Sequence, residues 1–277
     1  MSDSLAARLR AAGCVFAEEE ARLLVATASG PDELDDMVRR RVAGLPLEHV
    51  LGWVRFRGLR MSIDPGVFVP RWRTEFLVEQ AIALVNGVNG TGGSRDDTAP
   101  PVVLDLCCGS GALGAALGSA LPGVELHAAD IESAAVRCAR RNLAGFGGRV
   151  YQGDLFEPLP DELRGRVDIL AANVPYVPTD EIALMPAEAR LHEPRVALDG
   201  GADGLGVLRR VAAEAPPWLA PGGHLLVETS DRQAPVAADV LAGHGLLPRI
   251  TSSDEYEATV VIATAPKRSI AGARSTP

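Results

Sequence analysis

Apolar residues recur at helical spacing through the first part of the chain: Leu5 and Leu9, then Ala21, Leu23, Leu24 and Val25, then Leu34, Met37, Val38 and Val42. Gly13 and Gly30-Pro31 interrupt the pattern. Residues 1–45 are therefore predicted to form a small bundle of short helices, with the charged runs Glu18 to Glu20 and Arg39 to Arg41 on solvated faces. From Pro46 the spacing changes to short β-type runs broken by glycine, Val50 to Leu59 and Val67 to Pro70, which predicts a β-hairpin linker over residues 46–75. A helix from Phe76 to Val85 follows, with Thr74 as its N-cap. Asn86 to Pro101, poor in apolar residues, is predicted to be a mobile surface loop.

Beyond it, buried strands alternate with helices, the pattern of an α/β fold with a Rossmann-like parallel sheet. Predicted strands cover Pro101 to Leu106, Val124 to Ala129, Arg149 to Tyr151, Val167 to Ala172 and His224 to Glu228, with a closing pair over Leu246 to Thr251 and Ala258 to Thr264. Between them come a small-residue helix after Gly111, a helix from Ser133 to Leu143, one running to about Leu219, and one from Ala234 to Ala242. The tail, residues 265–277, is predicted to be disordered.

Composition narrows the class of protein. The 277 residues are 47% hydrophobic and 23% charged, with no apolar run long enough to span a bilayer and no basic-then-apolar signal at Met1-Ser2-Asp3-Ser4, so a cytoplasmic protein that uses no membrane is expected. A net charge of -9 argues against direct nucleic-acid binding, which needs clustered cations. Cys14, Cys107, Cys108 and Cys138 lack paired spacing and are expected to be reduced thiols. The five histidines lack ligand spacing as well, so no metal is expected.

Candidate chemistry gathers at the carboxyl ends of the predicted strands, where open α/β sheets bind ligands. Leu104-Asp105-Leu106 leads into Cys107-Cys108-Gly109-Ser110-Gly111, a glycine loop opening a helix whose first N–H groups are unbonded. Cys107 stands where the dinucleotide fingerprint has its first glycine, and the lysine of a phosphate-binding loop is missing, so both nucleotide readings lose ground. Asp130 follows about 20 residues later, at the spacing of a ribose-binding acid, although it could equally cap the helix starting near Glu132. Asp154-Leu155 lies where such folds contact an adenine, or is a turn. Asn173-Val174-Pro175-Tyr176, just past a strand, offers an amide and a ring suited to gripping a planar nitrogen, or forms a plain turn. The glycine- and charge-rich segment His192 to Leu205 reads as a lid at the same edge.

Several motifs in order give the chain a resemblance: Pro46 to Gly52, Val69-Pro70-Arg71 with Thr74-Glu75, the Leu104 to Gly111 loop, Asp130, Asn142, Gly153-Asp154-Leu155-Phe156, the Asn173 tetrapeptide, and Glu193-Pro194-Arg195 through Gly200-Gly201 to Asp203-Gly204-Leu205. Over residues 5–264 the chain resembles the HemK/PrmC-type N(5)-glutamine methyltransferases. The resemblance implies a class I methyltransferase sheet with a small N-terminal helical domain, S-adenosyl-L-methionine as cofactor, and the Gly-Gly-Gln glutamine of a peptide-chain release factor as acceptor. It assigns cofactor binding to Asp105, Cys107, Cys108, Gly109, Ser110, Gly111, Asp130, Asp154, Leu155 and Asn173. It gives the acceptor to Asn173, Val174, Pro175 and Tyr176, with the Asn173 side-chain oxygen and the Val174 carbonyl taking the two amide N–H groups and Tyr176 packing on the amide. The expected protein is a monomer, and its N-terminal bundle could recognise the substrate. Val174, Cys107, Cys108, Trp72 and Arg73 depart from the family pattern, whose usual tetrapeptide is Asn-Pro-Pro-Tyr. Two other readings stand beside it: an amino-methyltransferase acting on a nucleic-acid base, and a non-catalytic partner-binding module.

Overall fold

A computed structural model describes residues 2–87 and 99–267. Helices α1 (Ser2–Ala11), α2 (Ala17–Thr27) and α3 (Pro31–Val42) form the expected bundle. Its own apolar core joins Leu9, Leu24 and Val38 to Val50 and Leu51. One charged pair of that bundle is not at its surface as predicted. Glu20 and Arg41 are 8% and 9% exposed, and Arg41 Nε donates to Glu20 at 2.6 Å across the interface of α2 and α3. Both residues fall on the inward stripe of their helices, and pairing makes a buried charge tolerable there.

The segment that follows departs from the predicted run of β structure. Leu47–Leu51 is a short helix, α4, beginning after Pro46 and stopped by Gly52, whose left-handed backbone (φ 76°) ends a helix without strain. The hairpin is confined to β1 (Trp53–Phe56) and β2 (Leu59–Ser62), and Val67 to Pro70 forms no strand, although Val67 and Val69 are buried. Helix α5 (Glu75–Val85) then begins where expected, but the Thr74 side chain makes no capping bond to it. The predicted loop at residues 86–101 lies mostly outside the described residues.

Strands β3 (Val102–Leu106), β4 (Glu125–Asp130), β5 (Arg149–Gln152), β6 (Val167–Ala172) and β7 (Leu219–Thr229) run parallel, and β8 (Leu247–Ser253) and β9 (Ala258–Thr264) close the edge antiparallel. Among the described residues this main sheet has the order β5-β4-β3-β6-β7-β9-β8. All five residues of β3 are buried, as a central parallel strand covered on both faces requires. Alternation then divides the core. Val103, Ile169 and Ala171 face one apolar layer with the hairpin, α5, α6 (Ala112–Ala120) and α7 (Ser133–Leu143). Leu104, Leu106, Leu170 and Ala172 face the other with α9 (Gly206–Glu214) and α10 (Ala234–Gly243). The order reverses between β3 and β6, so their carboxyl ends splay into a crevice.

The helix expected to reach Leu219 ends at Glu214, since Pro216-Pro217 cannot continue it; Trp218 stacks on Phe156 and Leu219 opens β7. Between β6 and α9 the chain forms a short helix, α8 (Ala187–His192), flanked by 3-10 turns. Ala265 is buried and its N–H donates to Gly223 O, which shortens the expected disordered tail at its start, while residues 268–277 lie outside the described part. No helix among the described residues is long and apolar enough to cross a membrane.

Candidate active site

The crevice between β3 and β6 is lined by the glycine loop, Asp130, Asp154-Leu155 and all four residues Asn173 to Tyr176. Two sequence-predicted residues stay out of it, Asp105 and Gly111.

On the β3 side the loop is shaped by backbone geometry. Cys107, standing at the fingerprint's glycine position, takes a positive φ of 57°, so the left-handed turn survives the loss of glycine. Gly111 also has a positive φ, and a Cβ there would lie 3.1 Å from that of Ala139 on α7. Its role is close helix packing. Cys108 N–H donates to Ala129 O, and Gly109 N–H donates to Asp130 Oδ2 at 2.8 Å, tying the loop to the end of β4. The other oxygen of Asp130 accepts from Glu132 N–H at 2.9 Å, so the two readings of Asp130, helix-start acceptor and crevice acid, coexist. Burial pushes the Asp130 carboxyl upward against the pull of these amide bonds.

Asp105 lies behind the loop. It is fully buried, its Oδ2 accepts from Gly114 N–H at 2.8 Å, and its Oδ1 has no partner among the described residues. Burial, with Asp130 adding to it, pushes its carboxyl up to about 8. The Cys107 and Cys108 thiols are driven up by burial and the nearby carboxylates, which keeps them protonated. All four cysteines are free. Asp154 pairs with Arg210 at 2.7 Å, and Leu155, buried beside it, has a positive φ.

On the β6 side, side chains do the work. Asn173 Nδ2 donates to Thr74 Oγ1 at 3.3 Å, which leaves Asn173 Oδ1 as the acceptor atom of that amide. Thr74 is thus drawn away from α5, and this bond replaces the predicted cap. Tyr176 OH donates to Glu228 Oε1 at 3.1 Å, and Arg73 Nε donates to the same oxygen at 3.2 Å. Arg71 meets both oxygens of Glu193 at 2.6 Å, bridging to the segment after α8.

The tetrapeptide backbone is held from behind. Val174 is 2% exposed and packs in the core under β6. Gln233 Nε2 donates to Tyr176 O at 2.9 Å and Asp203 O at 3.0 Å. Gly200 and Gly204 lie directly on this backbone: a Cβ at Gly200 would sit 2.7 Å from Pro175 O, and one at Gly204 would collide with Tyr176 O. The segment read as a lid is therefore also the floor beneath Pro175 and Tyr176. Arg73, Glu228 and Gln233 were not predicted as site residues. The one signal for Glu228 was a charge ending an apolar strand at the edge that carries Asp130 and Asn173.

Among the described residues no group of three or more His, Cys, Asp or Glu side chains could hold a metal ion. The model of the methyltransferase small domain matches residues 96–214. The chain is 35% identical over 274 residues to the release factor glutamine methyltransferase of Deinococcus radiodurans, covering 90% of this chain and 93% of that one. It is 39% identical over 196 residues to the 4-amino-L-phenylalanine/4-methylamino-L-phenylalanine methyltransferase of Streptomyces pristinaespiralis, covering 71% and 65%. Among solved structures, the T. thermophilus 16S rRNA N2 G1207 methyltransferase in complex with AdoMet and guanosine shares the fold, with a TM-score of 0.50 and 22% identity over 77% of this chain and 49% of that one.

Proposed function

Because the chain belongs to the release factor glutamine methyltransferase family, we propose that it transfers the methyl group of S-adenosyl-L-methionine to the side-chain amide nitrogen of a glutamine, that of the Gly-Gly-Gln motif in a peptide-chain release factor. The observation that carries this reading is the placing of Asn173, with its donor side turned to Thr74, in one crevice with the glycine loop and Asp130.

The residues fit the cofactor. Each Asp130 oxygen takes one backbone N–H and keeps a lone-pair direction for a ribose hydroxyl. Cys108, Ala129, Ile131 and Leu155 give the crevice apolar walls for a base, with Asp154 beside them. Bound S-adenosylmethionine supplies an electrophilic methyl on a sulfonium.

The acceptor is the harder partner, because an amide nitrogen shares its lone pair with the carbonyl and attacks poorly. Placing it gains more than acid or base power does. Asn173 Oδ1 accepts one acceptor N–H and the Val174 carbonyl the other, which fixes the nitrogen and favours the positive charge that grows on it until one N–H proton is lost to solvent. Val174 keeps that carbonyl despite replacing proline, since Pro175 biases it to extended backbone and its side chain is anchored in the core. Tyr176 packs on the amide plane. Residues 1–45 recognise the substrate, residues 46–75 link, and residues 76–264 form the catalytic domain.

A second acceptor class is favoured by the likeness to the 4-aminophenylalanine enzyme, because an aryl amine is also a planar, conjugated nitrogen. One experiment separates the two. The protein is incubated with S-adenosylmethionine and either a release factor or 4-amino-L-phenylalanine, and the products are read by mass spectrometry. A methyl on the Gly-Gly-Gln glutamine supports the proposal; methylation of the amino acid alone overturns it.

A further inference from the structure

Ala172 on β6 pairs with Val227 on β7, so the next residues, Asn173 and Glu228, lie side by side at the carboxyl edge of the sheet. Two consecutive residues of the turn before α5 reach them, Thr74 to Asn173 and Arg73 to Glu228. Glu228 is 2% exposed. One of its oxygens takes both Arg73 and the Tyr176 hydroxyl, and the other has no partner among the described residues. A buried carboxylate left without a cation is among the costlier defects a core can hold. Arg73 is the cation that meets it, its guanidinium 6.0 Å from the centre of the Tyr176 ring and its side chain on the crevice wall.

We infer that Arg73, Glu228 and Tyr176 form a strut that sets the aromatic wall of the acceptor site, which makes Arg73 and Glu228 positioning residues for methyl transfer. The strut rests on the proposed function only in the choice of acceptor. Arg73 neutralises Glu228, Glu228 holds the Tyr176 hydroxyl, and Gln233 holds the same residue by its carbonyl, so ring and backbone are fixed independently. The cofactor loop touches none of these groups through a described hydrogen bond. Loss of the strut therefore acts on the acceptor and spares the cofactor.

The test uses the full chain with a release factor as acceptor at saturating S-adenosylmethionine, together with fluorine NMR of protein carrying 3-fluorotyrosine. Only three tyrosines are present, and Tyr176→Phe identifies the Tyr176 line. Arg73→Met should lower kcat about tenfold, the effect of losing one charged hydrogen bond, with cofactor affinity unchanged. Arg73→Glu, which sets two carboxylates against each other, should lower it further. Adding Glu228→Gln to Arg73→Glu should recover the Arg73→Met rate. The Tyr176 line should move in Arg73→Met while the distant Tyr151 line stays. The proposal is overturned if Arg73→Met and Arg73→Glu both keep kcat within about twofold, if cofactor affinity falls in step with kcat, or if the Tyr176 line does not respond. Should the release factor not be an acceptor, the wild type shows no turnover, and the fluorine line alone decides on the strut.

Discussion

The two sides of the crevice are built by different means. On the β3 side, the proposed cofactor side, the bonds run between backbone amides and carboxylates close in sequence, Gly114 to Asp105 and Gly109 to Asp130, nine and 21 residues apart. On the β6 side, the proposed acceptor side, they run between side chains brought together by the fold: Asn173 to Thr74 across 99 residues, Arg71 to Glu193 across 122, Arg73 to Glu228 across 155. Charge is handled differently too. Buried Asp105 and half-buried Asp130 are held by amide partners, whereas the buried Glu193 and Glu228 each have an arginine. A backbone cradle depends on main-chain geometry that tolerates a change of side chain, as at Cys107, whereas the side-chain scaffold depends on residue types far apart in the chain.

If that division is right, variants on the two sides should fail in different ways. Asn173→Ala should have the largest effect, lowering kcat by about a hundredfold to a thousandfold, as removal of one preorganised acceptor does, with cofactor affinity near normal. Steady-state kinetics beside calorimetric titration of S-adenosylmethionine checks it; a matching loss of affinity would mean Asn173 is only a turn residue. Asp130→Ala should come next. Losing charge-assisted bonds to ribose should weaken the cofactor by roughly 1.5–3 kcal/mol, about tenfold to a hundredfold in Kd.

A smaller effect is expected from Asp105, and it lies in stability. Its folded carboxyl is raised to about 8 while its unfolded value is about 3.9, so the folded state holds a proton that the unfolded state has released. The stability this adds is complete below about pH 4 and is lost as pH rises through about 8. Thermal melting of Asp105→Asn across that window should show a shallower decline than the wild type. An equal slope in both proteins would leave Asp105 without that role. The smallest effect belongs to the thiols. With both held protonated, the paired change Cys107→Gly and Cys108→Thr should keep activity, and iodoacetamide at neutral pH should leave the wild type active. A variant that bound cofactor but lost all transfer would reopen a covalent role.

The same contrast explains what could be read in advance. The glycine loop, Asp130, α7 and β6 were legible because local rules shape them: an apolar run bounded by turns, a glycine where φ is positive, an acid at fixed spacing. Even Cys107 misled only about residue type, since the backbone kept its conformation. Tertiary competition hid the rest. Thr74 had the composition of a cap, but Asn173, far along the chain, took its hydroxyl. Glu20 and Arg41 looked like solvated charges until the packing of α2 against α3 buried them together. Leu47–Leu51 held too few residues for its helical period to show against the β-type run that follows. Glu228 and Gln233 are single polar residues whose meaning depends on which strand ends are neighbours.

The separation of acceptor placing from cofactor holding is tested most directly by single-turnover methyl transfer to a release factor, run for Asn173→Ala and Asp130→Ala at saturating S-adenosylmethionine. Saturation should restore Asp130→Ala to within a few-fold of the wild-type rate and leave Asn173→Ala about a hundredfold or more below it. Near-normal transfer by Asn173→Ala, or equal recovery of the two variants, would contradict the account.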